Sequence, residues 1–246
     1  MPIIENAIQW MEKTARNDSH GYDQKYRWGE YGDYDCSSAV ITAWSQAGVA
    51  VRTAGATYTG NMYQAFIKAG FVNVTKSINF KTGAGLQRGD VLLNVHHHVA
   101  MYCGNKREVE ASINEKGRTT GGIPGDQTGK EFFIRAYRNY PWDCVLRYIE
   151  KTSEQIAKEV LAGKWSNGTV RKLMIEGSGY NYNEVQTIVN NMLMYGGSKT
   201  PNEVAGEIIS GKWGNGAERR RRLKEAGYKQ EVIAQIQEIV NQLLRK

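Results

Sequence analysis

The 246-residue chain has little cysteine, histidine and proline, with three, four and four residues of each. Because three cysteines, Cys36, Cys103 and Cys144, cannot all pair, at least one thiol is free and a disulfide scaffold is not expected. The sequence also lacks a long apolar run. Its N-terminal stretch, residues 1–16, is amphipathic and interrupted by charges, so it is neither a signal peptide nor a membrane span. These absences predict a protein made in the cytoplasm, without stable membrane insertion.

Composition and charge are those of an ordinary globular protein, with 41% apolar and 23% charged residues. The length suits one domain of about 150 residues together with something smaller. The net charge of +7 comes mainly from residues 151–246, which contain 15 Lys+Arg against 10 Asp+Glu. A basic surface suits nucleic acid, anionic wall polymers or an acidic membrane, and charge alone does not distinguish among them.

The most informative stretch surrounds Cys36. Apolar residues after it recur at helical spacing and predict a helix over residues 37–47, which Gly48 ends. Cys36 then lies at the helix N-terminus, where unpaired N–H groups and the helix dipole favour an anion. Its thiol is therefore expected to ionise more easily than a free thiol, as a nucleophile requires. The alternative is a small buried residue without a chemical role.

In the N-terminal half, helices come first and short strands follow. A second helix is predicted within Thr57–Gly70. The β-like runs are Val91–Leu93, His98–Cys103, Arg107–Ile113, Phe132–Ala136 and Val145–Tyr148. The glycine-rich stretch 117–129 is either a solvent loop or a flap over a site. This order of elements predicts an α+β domain over residues 1–148.

After this domain the sequence repeats itself. The segment 156–165 matches 204–213, and an offset of 48 residues holds through Gly179-Tyr180 and Gly227-Tyr228. Periodicity predicts three short helices in each copy, and small helical repeats are more typical of binding than of catalysis. The predicted boundaries are a linker at 149–153, a repeat at 154–195, a linker at 196–201 and a repeat at 202–246.

A cysteine nucleophile needs a base for its proton and a third group that orients the base. His98 is the best placed histidine, since it opens an apolar strand; alternation along that strand would put His96 on the same face and His97 on the other. A hairpin would bring Glu110 close enough to His98 to orient its ring. Zinc is the alternative for the histidines, but three consecutive histidines on a strand do not converge on one ion. No metal and no cofactor are therefore expected.

Taken together, these motifs resemble a known family. In chain order they are Tyr26-Arg27-Trp28-Gly29, Asp35-Cys36-Ser37-Ser38, Gly89-Asp90-Val91 and His98-Val99-Ala100-Met101-Tyr102, followed by Glu110. The set resembles the papain-fold cell-wall peptidases of the NlpC type and the related CHAP amidohydrolases, and most closely the bacteriophage peptidoglycan hydrolases among them. The resemblance covers about residues 5–148.

The resemblance implies a papain-like domain in which Cys36 is the nucleophile, His98 the base and Glu110 the orienting residue. Members of the family often carry His, Asn or Gln at the third position, so Glu110 departs from the pattern. No cofactor is implied.

The resemblance also implies three residues around substrate. Tyr26 matches a tyrosine that lies over the nucleophile in such enzymes, and Asp35 matches a position that helps to hold substrate. Backbone N–H groups at the helix start, that of Ser37 among them, would stabilise an oxyanion together with the Tyr26 hydroxyl. The alternatives are a packing role for Tyr26 and a helix N-cap for Asp35.

The C-terminal copies resemble the short cell-wall-binding repeats found in tandem in certain phage lysins, which recognise muropeptide. Aromatic residues would stack on sugars and cations would bind carboxylates. The implied contacts are Lys164, Trp165, Arg171, Tyr180, Lys212, Trp213, Arg219 and Tyr228. The alternative for the two tryptophans is the core of each repeat.

The sequence therefore predicts a phage-type endolysin that hydrolyses amide bonds in peptidoglycan stem peptides. The γ-D-glutamyl bond to the diamino acid is favoured, and an N-acetylmuramoyl-L-alanine amidase of the same fold is the alternative. The family implies that a holin releases the protein from the host cytoplasm to the wall.

Two rivals come from other classes: a nucleic-acid-binding protein and a wall-binding protein without activity. The arginine run 219–222 has only a partial counterpart in the first repeat, which counts against nucleic acid.

Overall fold

The computed structural model describes residues 3–245, and the chain divides into two compact units, residues 1–150 and 151–246. Three helices open the first unit: α1 (Ile3–Thr14), α2 (Cys36–Gln46) and α3 (Thr59–Lys68). α2 begins at Cys36 because Asp35 caps it, and the chain leaves the helix at Gly48, whose φ is +89°. The helices predicted around these residues are confirmed to within about two residues.

Within residues 3–245, six antiparallel strands form one sheet. They are β1 (Phe71–Asn73), β2 (Val91–Asn94), β3 (His98–Gly104), β4 (Arg107–Ala111), β5 (Phe132–Ala136) and β6 (Cys144–Tyr148). The strand order is β1-β6-β2-β3-β4-β5. β1 and the 3₁₀ turn Thr75–Ser77 were not predicted, because three residues are too few to show a period. The mixed α+β class with an antiparallel sheet is confirmed.

β3 lies between β2 and β4 and joins each of them through a short turn. The β3–β4 turn consists of Asn105 and Lys106, both with positive φ (51° and 54°), as a two-residue type I′ hairpin requires. The β2–β3 turn covers residues 95–97, and the Asn94 side chain accepts hydrogen bonds from the N–H groups of His96 and His97 (3.1 and 3.0 Å). These two turns place His98 at the start of a central strand.

Both faces of the sheet are covered. On one face Trp44 of α2 packs edge-on against Phe71, with ring centroids 4.8 Å apart. On the other face a second buried cluster contains Leu92, Ala100, Tyr102, Trp142 and Val145. Because side chains alternate along a strand, His98 shares the face of Ala100 and Tyr102.

The second unit contains two copies of a helix triplet. The first copy is α4 (Ser153–Leu161), α5 (Gly168–Gly177) and α6 (Tyr182–Tyr195); the second is α7 (Pro201–Ile209), α8 (Gly216–Glu225) and α9 (Gln230–Leu243). Each copy has its own buried apolar cluster. None of the helices in residues 3–245 has the length and apolar character needed to span a bilayer.

Candidate active site

The start of α2 is fixed by Asp35. Its Oδ1 accepts hydrogen bonds from the Ser38 N–H (2.7 Å) and from the Ser37 hydroxyl (2.8 Å), and its Oδ2 pairs with Arg27 (2.5 Å). Arg27 in turn donates to the Thr57 carbonyl. Both carboxylate oxygens of Asp35 and the Ser37 hydroxyl therefore have protein partners, and Asp35 is a helix N-cap.

Cys36 lines a groove of about 250 Å³, and only 7% of the residue is exposed. The backbone N–H groups of Val99 and Ser37 reach its sulfur and stabilise a thiolate, but burial and the Asp35 charge act more strongly in the opposite sense. Together they raise the pKa of the Cys36 thiol to about 12. The expectation of an acidic thiol is therefore wrong, because desolvation outweighs the helix N-terminus.

Tyr22, which the sequence reasoning missed, is the tyrosine beside the thiol. It is buried, and burial together with the neighbouring Cys36 raises its pKa above the ordinary value. Its hydroxyl accepts a hydrogen bond from Gln24 (3.0 Å), which lines the Cys36 groove. Tyr26, expected over the nucleophile, lines a different groove instead. The local sequence does not predict that Tyr22 rather than Tyr26 lies beside the thiol, since both tyrosines lie in an irregular loop.

His98 is held on three sides. Its Nε2 lies 2.8 Å from the Glu110 carboxylate, and its ring stacks on Trp142 and meets Tyr140 edge-on (centroids 6.1 and 5.7 Å apart). With Nε2–H donating to the carboxylate, Nδ1 is the nitrogen available as a base. Val99, which follows His98 in β3, contributes the N–H that reaches the Cys36 sulfur. The hairpin thus brings His98 and Glu110 together, and β3 places His98 one residue from the thiol's backbone partner.

His96 and His97 do not lie on the strand, contrary to the alternation expected for them. They belong to the 95–97 turn, because Asn94 accepts from both of their N–H groups, and they line the Cys36 groove. Across residues 3–245, no group of three or more His, Cys, Asp or Glu side chains is arranged to hold a metal ion.

Two buried carboxylates lie on β4, the strand that pairs with β3. Glu108 and Glu110 alternate onto one face of β4, and neither is exposed to solvent. Arg138 donates to both of them (3.1 Å to Glu108, 2.8 Å to Glu110), and Arg135 lies 3.4 Å from Glu110. Arg138 donates to the same Glu110 oxygen, Oε2, that His98 contacts, whereas Arg135 lies nearest the other oxygen, Oε1.

The pKa values of the two acids are shifted in opposite directions. Burial, followed by the Glu110 charge, raises the pKa of Glu108 to about 7 despite Arg138. Burial acts the same way on Glu110, but His98, Arg138 and Arg135 together lower its pKa below the ordinary value. Glu110 is consequently the charged partner of His98.

In the repeats, the tryptophans and tyrosines expected to bind ligand contribute to the cores. Trp165 and Trp213 are half-buried, and their indole N–H groups donate to Glu159 and Glu207 (3.1 and 3.0 Å). Tyr180 packs against the core of the first copy. Tyr228 is only 5% exposed and its hydroxyl accepts from the Lys199 N–H (3.1 Å), so the tyrosine presents little surface to a ligand.

The basic candidates divide into two kinds. Arg171 and Arg219 donate to the backbone of the turn before their own helices (2.9 Å to the Ser166 carbonyl, 3.1 Å to the Gly214 carbonyl). Lys164 and Lys212 are exposed and lie 3.9 and 3.5 Å from Glu159 and Glu207.

In the arginine run, Arg221 and Arg222 pair with Glu225 and Glu218 within α8. Arg220 makes no ion pair among the described residues. The run is therefore not a continuous free cationic surface.

Comparison with protein families gives two matches. A model described as an endolysin-like domain matches residues 29–109, a span that includes Cys36 and His98 and ends one residue before Glu110. The CW_7 repeat model matches residues 154–193 and 202–244. No curated protein matches the chain. The chain therefore carries an endolysin-like domain and two cell-wall-binding repeats, which support a cell-wall lytic protein acting at the wall.

Alkylation of Cys36 by iodoacetamide should be slow at neutral pH. Because burial raises the pKa of Cys36 to about 12, the thiolate fraction and the alkylation rate should rise about tenfold per pH unit from pH 7 to 10. The full-length protein is labelled and then digested, and mass spectrometry of the peptides shows whether Cys36 carries the adduct. Cys36→Ser is the control without this thiol. A rate that levels off between pH 6 and 8 would show a thiolate–imidazolium pair at rest and contradict this description.

Replacing Glu108 by Gln should remove a pH-dependent loss of stability. Between its ordinary pKa of 4.5 and its folded pKa of about 7, folded Glu108 keeps a proton that the unfolded chain has released. The parent's free energy of unfolding, relative to that of Glu108→Gln, should therefore fall from pH 5 to pH 8 by up to about 3 kcal/mol. The free energy of unfolding of both proteins is measured by urea unfolding, with hydrogen exchange of peptides from the sheet as the readout. If the free energies of unfolding of the parent and of Glu108→Gln change with pH in parallel, the raised pKa of Glu108 is refuted.

Proposed function

We propose that the first unit is a cysteine peptidoglycan amidohydrolase of papain-like organisation, which cleaves an amide bond of the stem peptide. The observation that carries the proposal is the buried His98–Glu110 pair (2.8 Å) at the start of β3, beside the Val99 N–H that reaches the Cys36 sulfur. The match to an endolysin-like domain supports the substrate class. Nucleophile, base and orienting acid are Cys36, His98 and Glu110.

The first half-reaction is acyl transfer from a neutral resting pair. As the Cys36 sulfur attacks the amide carbonyl, His98 Nδ1 takes the thiol proton, and Glu110 stabilises the resulting imidazolium. The charge on Glu110 is retained because the hydrogen bond to His98, followed by the charges of Arg138 and Arg135, outweighs burial and lowers the pKa of Glu110. His98 then returns the proton to the leaving amine, which departs as the carbon–nitrogen bond breaks and leaves a thioester on Cys36.

The second half-reaction is hydrolysis of that thioester. His98 takes a proton from water as the hydroxide adds to the carbonyl, and the proton returns to Cys36 when the carbon–sulfur bond breaks. The oxyanion in both halves lies near the sulfur, where the N–H groups of Ser37 and Val99 are directed. The Tyr22 hydroxyl, on the same side as the thiol, is the further donor in place of Tyr26. Asp35 acts by holding the helix start.

The favoured bond is the γ-D-glutamyl link to the diamino acid. The same chemistry would serve an N-acetylmuramoyl-L-alanine amidase, and the amine released by the reaction identifies the bond. Delivery from the host cytoplasm to the wall by a holin belongs to the same proposal.

Wall binding is proposed for the repeats, with the clearest groove in the second copy. This groove, of about 410 Å³, is lined by Arg219 and Arg220 together with apolar side chains that include Leu223 and Ile233. Arg220 is exposed and free of ion pairs within the described chain, whereas Lys172 at the matching place in the first copy lies 3.9 Å from Glu176. A groove lined by both a cation and apolar side chains suits a peptide that ends in a carboxylate, as muropeptides do.

Hydrolysis should depend on all three residues of the catalytic set. On purified Gram-positive walls under reducing conditions, Cys36→Ala and His98→Ala should abolish turbidity loss and amine release. Glu110→Gln should lower kcat by about 100-fold or more, because the neutral amide does not stabilise the imidazolium. Labelling the new amino groups distinguishes the diamino acid from L-alanine. Amine release that survives in Cys36→Ala would overturn the thiol mechanism.

Loss of the unpaired arginine should weaken wall binding. In the non-hydrolysing Cys36→Ala protein, Arg220→Ala should reduce the affinity for sedimented walls by about tenfold, since a charge-assisted hydrogen bond contributes about 1.5–3 kcal/mol. Arg221→Ala is the matched control, because Arg221 pairs with Glu225 (2.7 Å). If Arg220→Ala and Arg221→Ala bind the walls with equal affinity, the α8 groove is excluded as a wall contact.

A further inference from the structure

A second groove opens beside the Cys36 groove in the first unit. It has a volume of about 330 Å³, and its lining includes Lys25, Tyr26, Tyr31, Gly122 and Pro124. It lies between the loop that precedes α2 and the glycine-rich stretch 117–129, which the sequence left open as a solvent loop or a flap. The proposed catalytic steps use none of these residues.

The groove has fixed walls. Asp33 accepts hydrogen bonds from the N–H groups of Gly21 and Gly125 (2.8 and 2.9 Å), and Asp23 accepts from Tyr26 and Gly121 (2.8 and 3.2 Å). These two buried carboxylates join the two loops. Their partners are backbone N–H groups, and no metal-binding cluster occurs within residues 3–245, so the groove is not built for a cation.

Two tyrosines give the groove its ligand preference. Tyr26 and Tyr31 are 40% and 60% exposed, and their rings meet edge-to-face with centroids 4.9 Å apart. Contiguous apolar surface exposed in a groove is a feature of ligand-binding sites. Their faces suit the C–H faces of pyranose rings, while hydroxyl groups at their edges suit sugar hydroxyls. Lys25 lies over the Tyr26 ring, 5.0 Å from its centroid, and adds a cation at the same place.

The two grooves are adjacent through the chain. Gln24 lines the Cys36 groove, whereas Lys25 and Tyr26, the next two residues, line the second one. The Gln24 N–H donates to the Thr119 carbonyl (2.8 Å), so the glycine-rich stretch, which lines the second groove, is also hydrogen-bonded to a residue that lines the Cys36 groove. In peptidoglycan, a stem peptide branches from a sugar chain. A substrate whose peptide enters the Cys36 groove therefore has its sugars within a few residues' length of the tyrosines.

We infer that the groove of Tyr26 and Tyr31 binds the glycan strand of peptidoglycan and so selects stem peptides that are still attached to sugar. This inference rests on the proposed function, because it takes peptidoglycan as the substrate. It assigns Tyr26 a role in sugar binding rather than one over the nucleophile.

A binding experiment tests the groove without requiring catalysis. Full-length Cys36→Ala protein, labelled with ¹³C at tyrosine, is titrated with a peptide-free tetrasaccharide of alternating β-1,4-linked N-acetylglucosamine and N-acetylmuramic acid. The Tyr26 and Tyr31 signals, assigned by substitution, should shift with saturation, while the signal of Tyr63 on α3 should not. Unchanged Tyr26 and Tyr31 signals at saturating sugar would overturn the inference.

A kinetic experiment with the active protein separates sugar recognition from the chemistry. The double variant Tyr26→Leu/Tyr31→Leu should raise KM for sugar-linked stem peptide by about tenfold and leave kcat/KM for the sugar-free peptide unchanged. Tyr26→Phe/Tyr31→Phe, which keeps the ring faces, should restore the KM to within about twofold. An equal loss on both substrates would show a structural role and overturn the inference. If the parent protein cleaves neither substrate, the proposed function fails, and the titration still decides whether the groove binds glycan.

Discussion

A hydrogen bond in a water-excluded position, from His98 Nε2 to the Glu110 carboxylate (2.8 Å), sets the conditions for the rest of the site. A carboxylate with no solvent exposure is costly unless it is paired, and here a histidine and two arginines share the pairing. The hydrogen bond fixes which nitrogen of His98 is free, and Trp142 and Tyr140 fix the plane of the ring. The geometry of the proposed catalytic set therefore follows from how one buried charge is neutralised.

The same burial controls the nucleophile. A thiol with a pKa of about 12 is neutral near pH 7, and it is expected to react poorly with oxidants and electrophiles in solution. In the proposed mechanism, proton transfer to His98 accompanies attack on the carbonyl, so reactivity is expected only when a substrate occupies the groove. The N–H groups of Ser37 and Val99, which offset part of the desolvation of the thiolate, are also the proposed donors to the oxyanion.

The residues that sequence could predict are those fixed by local rules. Periodicity located α2 and its first residue Cys36, and the short turn at Asn105 and Lys106 allowed Glu110 to be placed beside His98 across a hairpin. Local rules fail where long-range packing decides. Tyr22 rather than Tyr26 lies near the thiol because of how an irregular loop folds.

Local rules also did not predict the effects of burial and of side-chain hydrogen bonds on the site. Burial reversed the expected acidity of Cys36, and an asparagine side chain moved His96 and His97 into a turn. In the repeats, the sequence does not distinguish a duplicated tryptophan that binds ligand from one that packs in the core of each repeat. Only the structure shows that Trp165 and Trp213 are half-buried and donate to equivalent glutamates.

The most direct test of covalent catalysis is to trap the acyl-enzyme. Full-length protein is mixed with a sugar-linked stem-peptide substrate, quenched in acid within milliseconds to seconds, and digested for mass spectrometry. The account predicts that the Cys36 peptide carries the acyl half of the substrate as a thioester, at a level that rises before product reaches steady state and disappears with hydroxylamine. Steady turnover without acylation of Cys36, or acylation at a different residue, would contradict it.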